Sequence, residues 1–73
     1  MDNSETLARV KTLLGYWIEH NREHSEEFRE WADRLKGLGE GAAGGDLAQA
    51  AQEMEEAGRL LSRALESLGG REA

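Results

Sequence analysis

From Leu7 to Leu38 the chain places Leu7, Val10, Leu14, Trp17, Asn21, His24, Phe28, Trp31, Leu35 and Leu38 alternately three and four residues apart. This is the a/d repeat of a helix that lies against another helix. Eight of the ten positions are apolar, and no proline interrupts them. The two polar positions, Asn21 and His24, are consecutive steps at the centre of the seam. Leu13, Ile18 and Ala32 widen the stripe, so this helix is expected to touch more than one neighbour. Oppositely charged residues four apart, such as Glu5 with Arg9, Arg22 with Glu26, Arg29 with Asp33 and Glu30 with Arg34, suit its solvent face. Asp2 with Glu5 has capping-box spacing and Ser4 is an alternative cap, so the helix is expected over about residues 4–37.

The stretch KGLGEGAAGGD holds five of the nine glycines and ends in Asp46, a good N-cap residue. It reads as a glycine-rich loop over about residues 38–45, although residues 40–43 could form a helical turn of their own. Beyond it Leu47, Met54, Leu61 and Leu68 recur every seven residues. Ala50, Ala57 and Ala64 take the intervening d positions, with Ala51, Gly58 and Leu65 beside them. The second helix is expected over about residues 46–68, with small residues letting the two backbones approach closely and Gly69 ending it.

Seventy-three residues make one all-α domain, an antiparallel two-helix hairpin spanning positions 1–73. A chain this short buries only about 60% of the surface its unfolded form exposes, and disulfides, a metal or oligomerisation usually make up the difference. There is no cysteine, which excludes disulfides, thiolate metal sites and cysteine nucleophiles. Two helices cannot enclose residues as large as Trp17, Phe28 and Trp31, and the first helix outruns the second, leaving Leu7, Val10 and even Leu14 without an internal partner. A homodimer forming a four-helix bundle supplies the missing cover. A foreign protein partner would answer the same need and would show as a persistent apolar stripe that includes Leu7 and Val10. The expected core and interface are therefore Leu7, Val10, Leu14, Trp17, Asn21, His24, Phe28, Trp31, Met54 and Leu61.

The formal charge of −6, with no one-sided Lys/Arg patch, argues against nucleic acid and anionic membrane surfaces. The start MDNSETLARV lacks the cationic and apolar regions of a secretory signal, and no stretch approaches the roughly 18 apolar residues of a membrane span, so the cytoplasm is the expected location.

Setting residue 36 opposite residue 46 puts Phe28 against Met54, Trp31 against Ala51, Trp17 against Leu65, and His24 against Ala57 and Gly58. On one helix face His20, His24 and Glu27 gather two imidazoles and a carboxylate, a donor set suited to zinc, nickel, cobalt or non-haem iron. One helix supplies three ligands at most, so a complete site would need the same residues from a twofold mate. The plainer reading keeps His24 in the seam with its ring satisfied by Glu27 or Asn21, and uses Asn21 to set register and oligomer number. A pH switch is a third use of the pair, because imidazoles brought together across a dimer axis resist protonation.

Catalysis finds no support: there is no nucleophile elbow and no phosphate-binding glycine loop, and Ser25 and His24, being adjacent on a helix, diverge by about 100°. The expectation is a small non-enzymatic assembly or interaction module, with no cofactor unless the histidines take a metal.

The pattern Trp17-x-x-His20-Asn21-x-x-His24-x-x-x-Phe28-x-x-Trp31-Ala32, followed by a glycine loop and an Ala-Ala-x-x-Met helix, resembles a small uncharacterised helical-hairpin family of bacteria and archaea over about residues 13–68. The resemblance implies the fold and carries no activity. More loosely, the chain is similar to the two-helix encapsulated ferritins, which build four-helix bundles from paired hairpins with metal at the dimer interface. Their Glu-x-x-His signature is missing, since Asn21 precedes His24 by three and Trp17 precedes His20 by three. That departure argues against ferroxidase activity.

Overall fold

The structure, a computed structural model, describes residues 3–69. Helix α1 runs Asn3–Gly37 and helix α2 Gly41–Ser67, packed along each other as a hairpin with overall extents of 55 × 22 × 14 Å. The proposed Asp2 cap lies outside the described residues, and Ser4 falls inside the first turn of α1 rather than capping it.

The link is much shorter than the glycine content suggests. At the end of α1 the Gly39 N–H donates to the Lys36 carbonyl at 3.0 Å and the Glu40 N–H to the Leu35 carbonyl at 2.9 Å, with Gly39 at φ +86°. These are the two bonds of a Schellman turn, which reverses the chain at a residue without a side chain. Glu40 then takes the N-cap position of α2 without a side-chain capping bond, and the Gly44 N–H already donates to its carbonyl at 2.9 Å. The expected loop over 38–45 and the expected cap at Asp46 are therefore corrected: α2 starts five residues earlier than Asp46. Burial outweighs glycine's poor helix propensity here, because Gly44 sits between the helices where a Cβ would lie 2.9 Å from the Ala32 carbonyl oxygen.

The core between the helices is narrow, with small residues at its centre and near the turn and one leucine from each helix towards the open end. Leu14, Ser25 and Ala32 are buried on α1, and Gly44, Ala51 and Leu65 on α2. Half-buried Ile18, Asn21, Phe28, Met54, Gly58 and Leu61 fill in around them. The inner seam of α1 thus runs Leu14, Ile18, Asn21, Ser25, Phe28, Ala32, Leu35, again alternating four and three. It is rotated away from the expected row, so Trp17 and Trp31 are 43% and 49% exposed. On α2 the same rotation makes Ala51, Gly58 and Leu65 central and leaves Ala57 and Ala64 exposed.

Close approaches set the register. Lys36 lies against Gly44, Asn21 against Gly58, and Lys11 against Gly69. Residue 36 therefore faces 44 instead of 46, a slip of two residues from the expected pairing. Asn21, not His24, is the polar residue that meets Gly58. Its Nδ2 donates to the Met54 carbonyl at 2.6 Å, a bond that ties the two helices together at mid-length. Lys11 being level with the end of α2, the first two turns of α1 overhang, and Leu7 is 44% exposed. Leu14, by contrast, is buried and has an internal partner after all.

Candidate functional site

Two flanks rise from this seam, and they differ in chemistry. On one, Arg29 reaches across to Glu55 with two hydrogen bonds of 2.6 and 2.8 Å. Those bonds pull the Glu55 carboxyl below the usual carboxylate range and raise Arg29. Arg22 pairs with Glu19 and with Glu26 on its own helix, and Arg59 with Glu56. Arg22, Glu55, Arg59, Ser62 and Arg63 rim a shallow groove on this side. It is a solvated, charged flank.

The opposite flank is apolar. Val10, Trp17, His24 and Trp31 recur every seven residues along α1, with Leu38 just past its end, and Leu47, Met54 and Leu61 do so along α2, with Leu68 at its C-cap. The observed register brings the two rows level to within half a turn: Val10 with Leu68, Trp17 with Leu61, His24 with Met54, Trp31 with Leu47. Phe28 and Leu35 close the space towards the seam, and Arg34 lies over the Trp31 ring at 4.6 Å. The expected core residues thus divide in two. Leu14, Asn21 and Phe28 serve the hairpin's own seam, whereas Trp17, His24 and Trp31 face outward on a surface that the chain leaves open.

The histidines sit at the middle of that flank. Tyr16, His20, His24 and Phe28 follow one another at successive turns with ring centroids 5.3, 4.5 and 6.3 Å apart, the first pair stacked, the second edge-to-face and the third tilted. The His20 and His24 Nε2 atoms are 3.1 Å apart. Glu27 Oε1 stands 3.4 Å from His24 Nδ1, on the far side of that ring. The three residues expected to gather are therefore neighbours, but Glu27 does not join the Nε2 pair as a third ligand. Among the described residues no group of three His, Cys, Asp or Glu side chains could hold a metal ion.

Sequence reasoning missed Tyr16, whose spacing of four from His20 was the available signal, and Ser25. The Ser25 hydroxyl is buried and donates to its own helix at the Arg22 carbonyl, 2.9 Å away, so it needs no partner on α2.

A family model described as a domain of unknown function, DUF8180, matches residues 10–68. The chain belongs to that family. The match covers α1 from Val10 onward, all of α2 and both rows of the apolar flank. An uncharacterised protein of Archaeoglobus fulgidus is 30% identical over 63 residues, covering 86% of this chain and all of the relative. No solved structure matches the chain. Among the described residues no helix is long and apolar enough to cross a membrane.

Proposed function

We propose that this DUF8180 chain is a non-enzymatic assembly module that self-associates through its apolar flank into an antiparallel four-helix bundle. The observation that carries the reading is the order of residues on that flank. Along α1 the row Val10, Trp17, His24, Trp31, Leu38 has nearly the same character in both directions from His24, and along α2 Leu47 and Leu61 bracket Met54 in the same way. The two centres lie level. A twofold axis crossing the helices at that level would stack Trp17 on Trp31 of the partner subunit and Leu47 on Leu61 of the partner subunit. A foreign partner would have no reason to match a palindrome, whereas a second copy matches it by construction.

Surface area fits an interface that the hairpin leaves uncovered. The chain exposes 5516 Å², whereas a globular monomer of its mass would expose about 4,500 Å². The excess, about 1,000 Å², is close to the roughly 800 Å² that each partner buries in a standard interface. The W-x-x-H-N-x-x-H-x-x-x-F-x-x-W-A motif then marks this interface, and in aligned relatives positions 17 and 31 should stay large and apolar together.

Sedimentation at micromolar concentration tests the assembly, and a species of twice the 8.1 kDa chain mass is expected. Trp17→Glu should shift it towards monomer by placing a carboxylate in a dry layer. A wild-type monomer at those concentrations would overturn the reading. Orientation is tested separately, in a chain with no native cysteine. Met54→Cys should oxidise to a covalent dimer, while Leu61→Cys alone should not.

A further inference from the structure

We propose that His20 and His24 form half of a first-row transition-metal site that a second copy of the chain completes; the inference rests on the antiparallel dimer above. Three features of the pair point to a ligand. The first is the bite. Two nitrogens each about 2.05 Å from one ion stand about 2.9 Å apart at a right angle and about 3.3 Å apart at the tetrahedral angle. The Nε2 atoms of His20 and His24 are 3.1 Å apart, between those limits.

The second is the position of Glu27. A carboxylate oxygen 3.4 Å from its Nδ1 would favour the His24 tautomer with the proton on that side, which leaves the Nε2 lone pair on the side of His20. A carboxylate behind a metal-bound imidazole does the same, fixing both tautomer and ring orientation. Glu27 is thus a positioning residue in its own chain. The third is restraint of the other ring: Tyr16 stacks on His20 with an interplanar angle of 15°. With His24 in that tautomer, the 3.1 Å contact of the empty pair would be a hydrogen bond from His20 Nε2–H to His24 Nε2. When an ion enters, that proton moves through solvent to His20 Nδ1, and no net proton is released.

Two imidazoles leave at least two coordination positions open. The axis level with His24 brings the partner's His24 towards its own copy, and the partner's Glu27 level with Asn21, between His20 and His24. Nitrogen and oxygen donors without thiolate suit zinc, cobalt, nickel and iron.

The test is a cobalt(II) titration of chelator-stripped full-length protein, read by visible d–d absorption, with sedimentation before and after. We expect new absorption bands saturating between half and one equivalent per chain. His20→Ala and His24→Ala should each weaken binding at least tenfold. Glu27→Gln should weaken it less, and Glu27→Asp should recover part of the loss, with helical circular dichroism unchanged throughout. A dimer that shows no cobalt bands, or whose affinity survives the double histidine variant, overturns the site and leaves the assembly standing. A monomer with and without cobalt overturns both. A monomer that dimerises only with cobalt supports the site and overturns the metal-free assembly proposed above.

Discussion

Gly44 and Gly45 are adjacent in α2 and offer a paired measurement of how closely the helices approach. A methyl group at Gly44 would lie 2.9 Å from the Ala32 carbonyl oxygen, 3.3 Å from the Lys36 amide nitrogen and 2.7 Å from Lys36 Cγ. The side chain can move, but the two backbone atoms move only if α1 does. At Gly45 the same methyl meets nothing within 4 Å. Both substitutions gain about 1 kcal/mol of helix propensity. Only Gly44→Ala also suffers the overpacking cost of about 1–3 kcal/mol seen when a methyl is forced into a closed interior. The two variants should therefore differ by about 1–3 kcal/mol, with Gly45→Ala the more stable and above wild type. In a domain of this size the gap is on the order of 5–20 °C in Tm. Thermal and urea unfolding followed by circular dichroism would measure it, at one fixed protein concentration because the proposed association would contribute to stability. If Gly44→Ala were as stable as Gly45→Ala, the helices could not lie as close at the turn as described.

Gly58 and Asn21 should be coupled. A methyl at Gly58 would come 3.2 Å from Asn21 Nδ2, so Gly58→Ala gains propensity while disturbing the bond to Met54. In an Asn21→Ala background only the gain remains, and a double-mutant cycle should give about 1 kcal/mol of coupling. Ser25→Ala should change stability by less than about 0.5 kcal/mol, because its hydroxyl bonds within its own helix, whereas Ser25→Leu should cost about 1–3 kcal/mol by overpacking. The Arg29–Glu55 pair predicts an acid dependence. Glu55 is lowered in the folded state, so its contribution is present above the ordinary carboxylate range and is lost as pH falls through its folded value. Arg29→Gln should lower Tm slightly in the neutral region and flatten the acid limb of the Tm-against-pH curve, so that the two curves converge at low pH.

The helical hairpin is legible in the alternation of three and four, but the choice of row is not. Two rows on α1 share Leu14, Asn21, Phe28 and Leu35. One adds Trp17, His24 and Trp31, the other Ile18, Ser25 and Ala32. Ranking by hydrophobic size selects the first, and the hairpin buries the second, because two backbones that approach closely at Gly44, Ala51 and Gly58 leave room opposite them only for side chains as small as Ser25 and Ala32. Between Asn21 and the turn, Ser25 and Ala32 mark the inner seam, and the two tryptophans stay on the exposed flank. The same effect hid the start of α2: five glycines in eleven residues read as a loop, while Gly44 is in fact core. The histidine pair and its proximity to Glu27 followed from helix spacing alone. That Glu27 approaches the opposite nitrogen depends on ring orientation, which spacing does not encode.

The three-residue turn at Leu38, Gly39 and Glu40 also sets an order of events. Contacts near it, such as Ala32 and Lys36 with Gly44, join residues close in sequence, and each turn further out closes a longer loop, to Lys11 with Gly69 at the open end. Formation should run outward from the turn like a zipper, and opening should run inward from the ends, giving a gradient of amide exchange along both helices. In the antiparallel pair the open end of each chain would lie over the turn of the other. Each copy's last-formed segment would then be held by its mate's first-formed one, and dimerisation should level the gradient by slowing exchange most where the isolated hairpin frays.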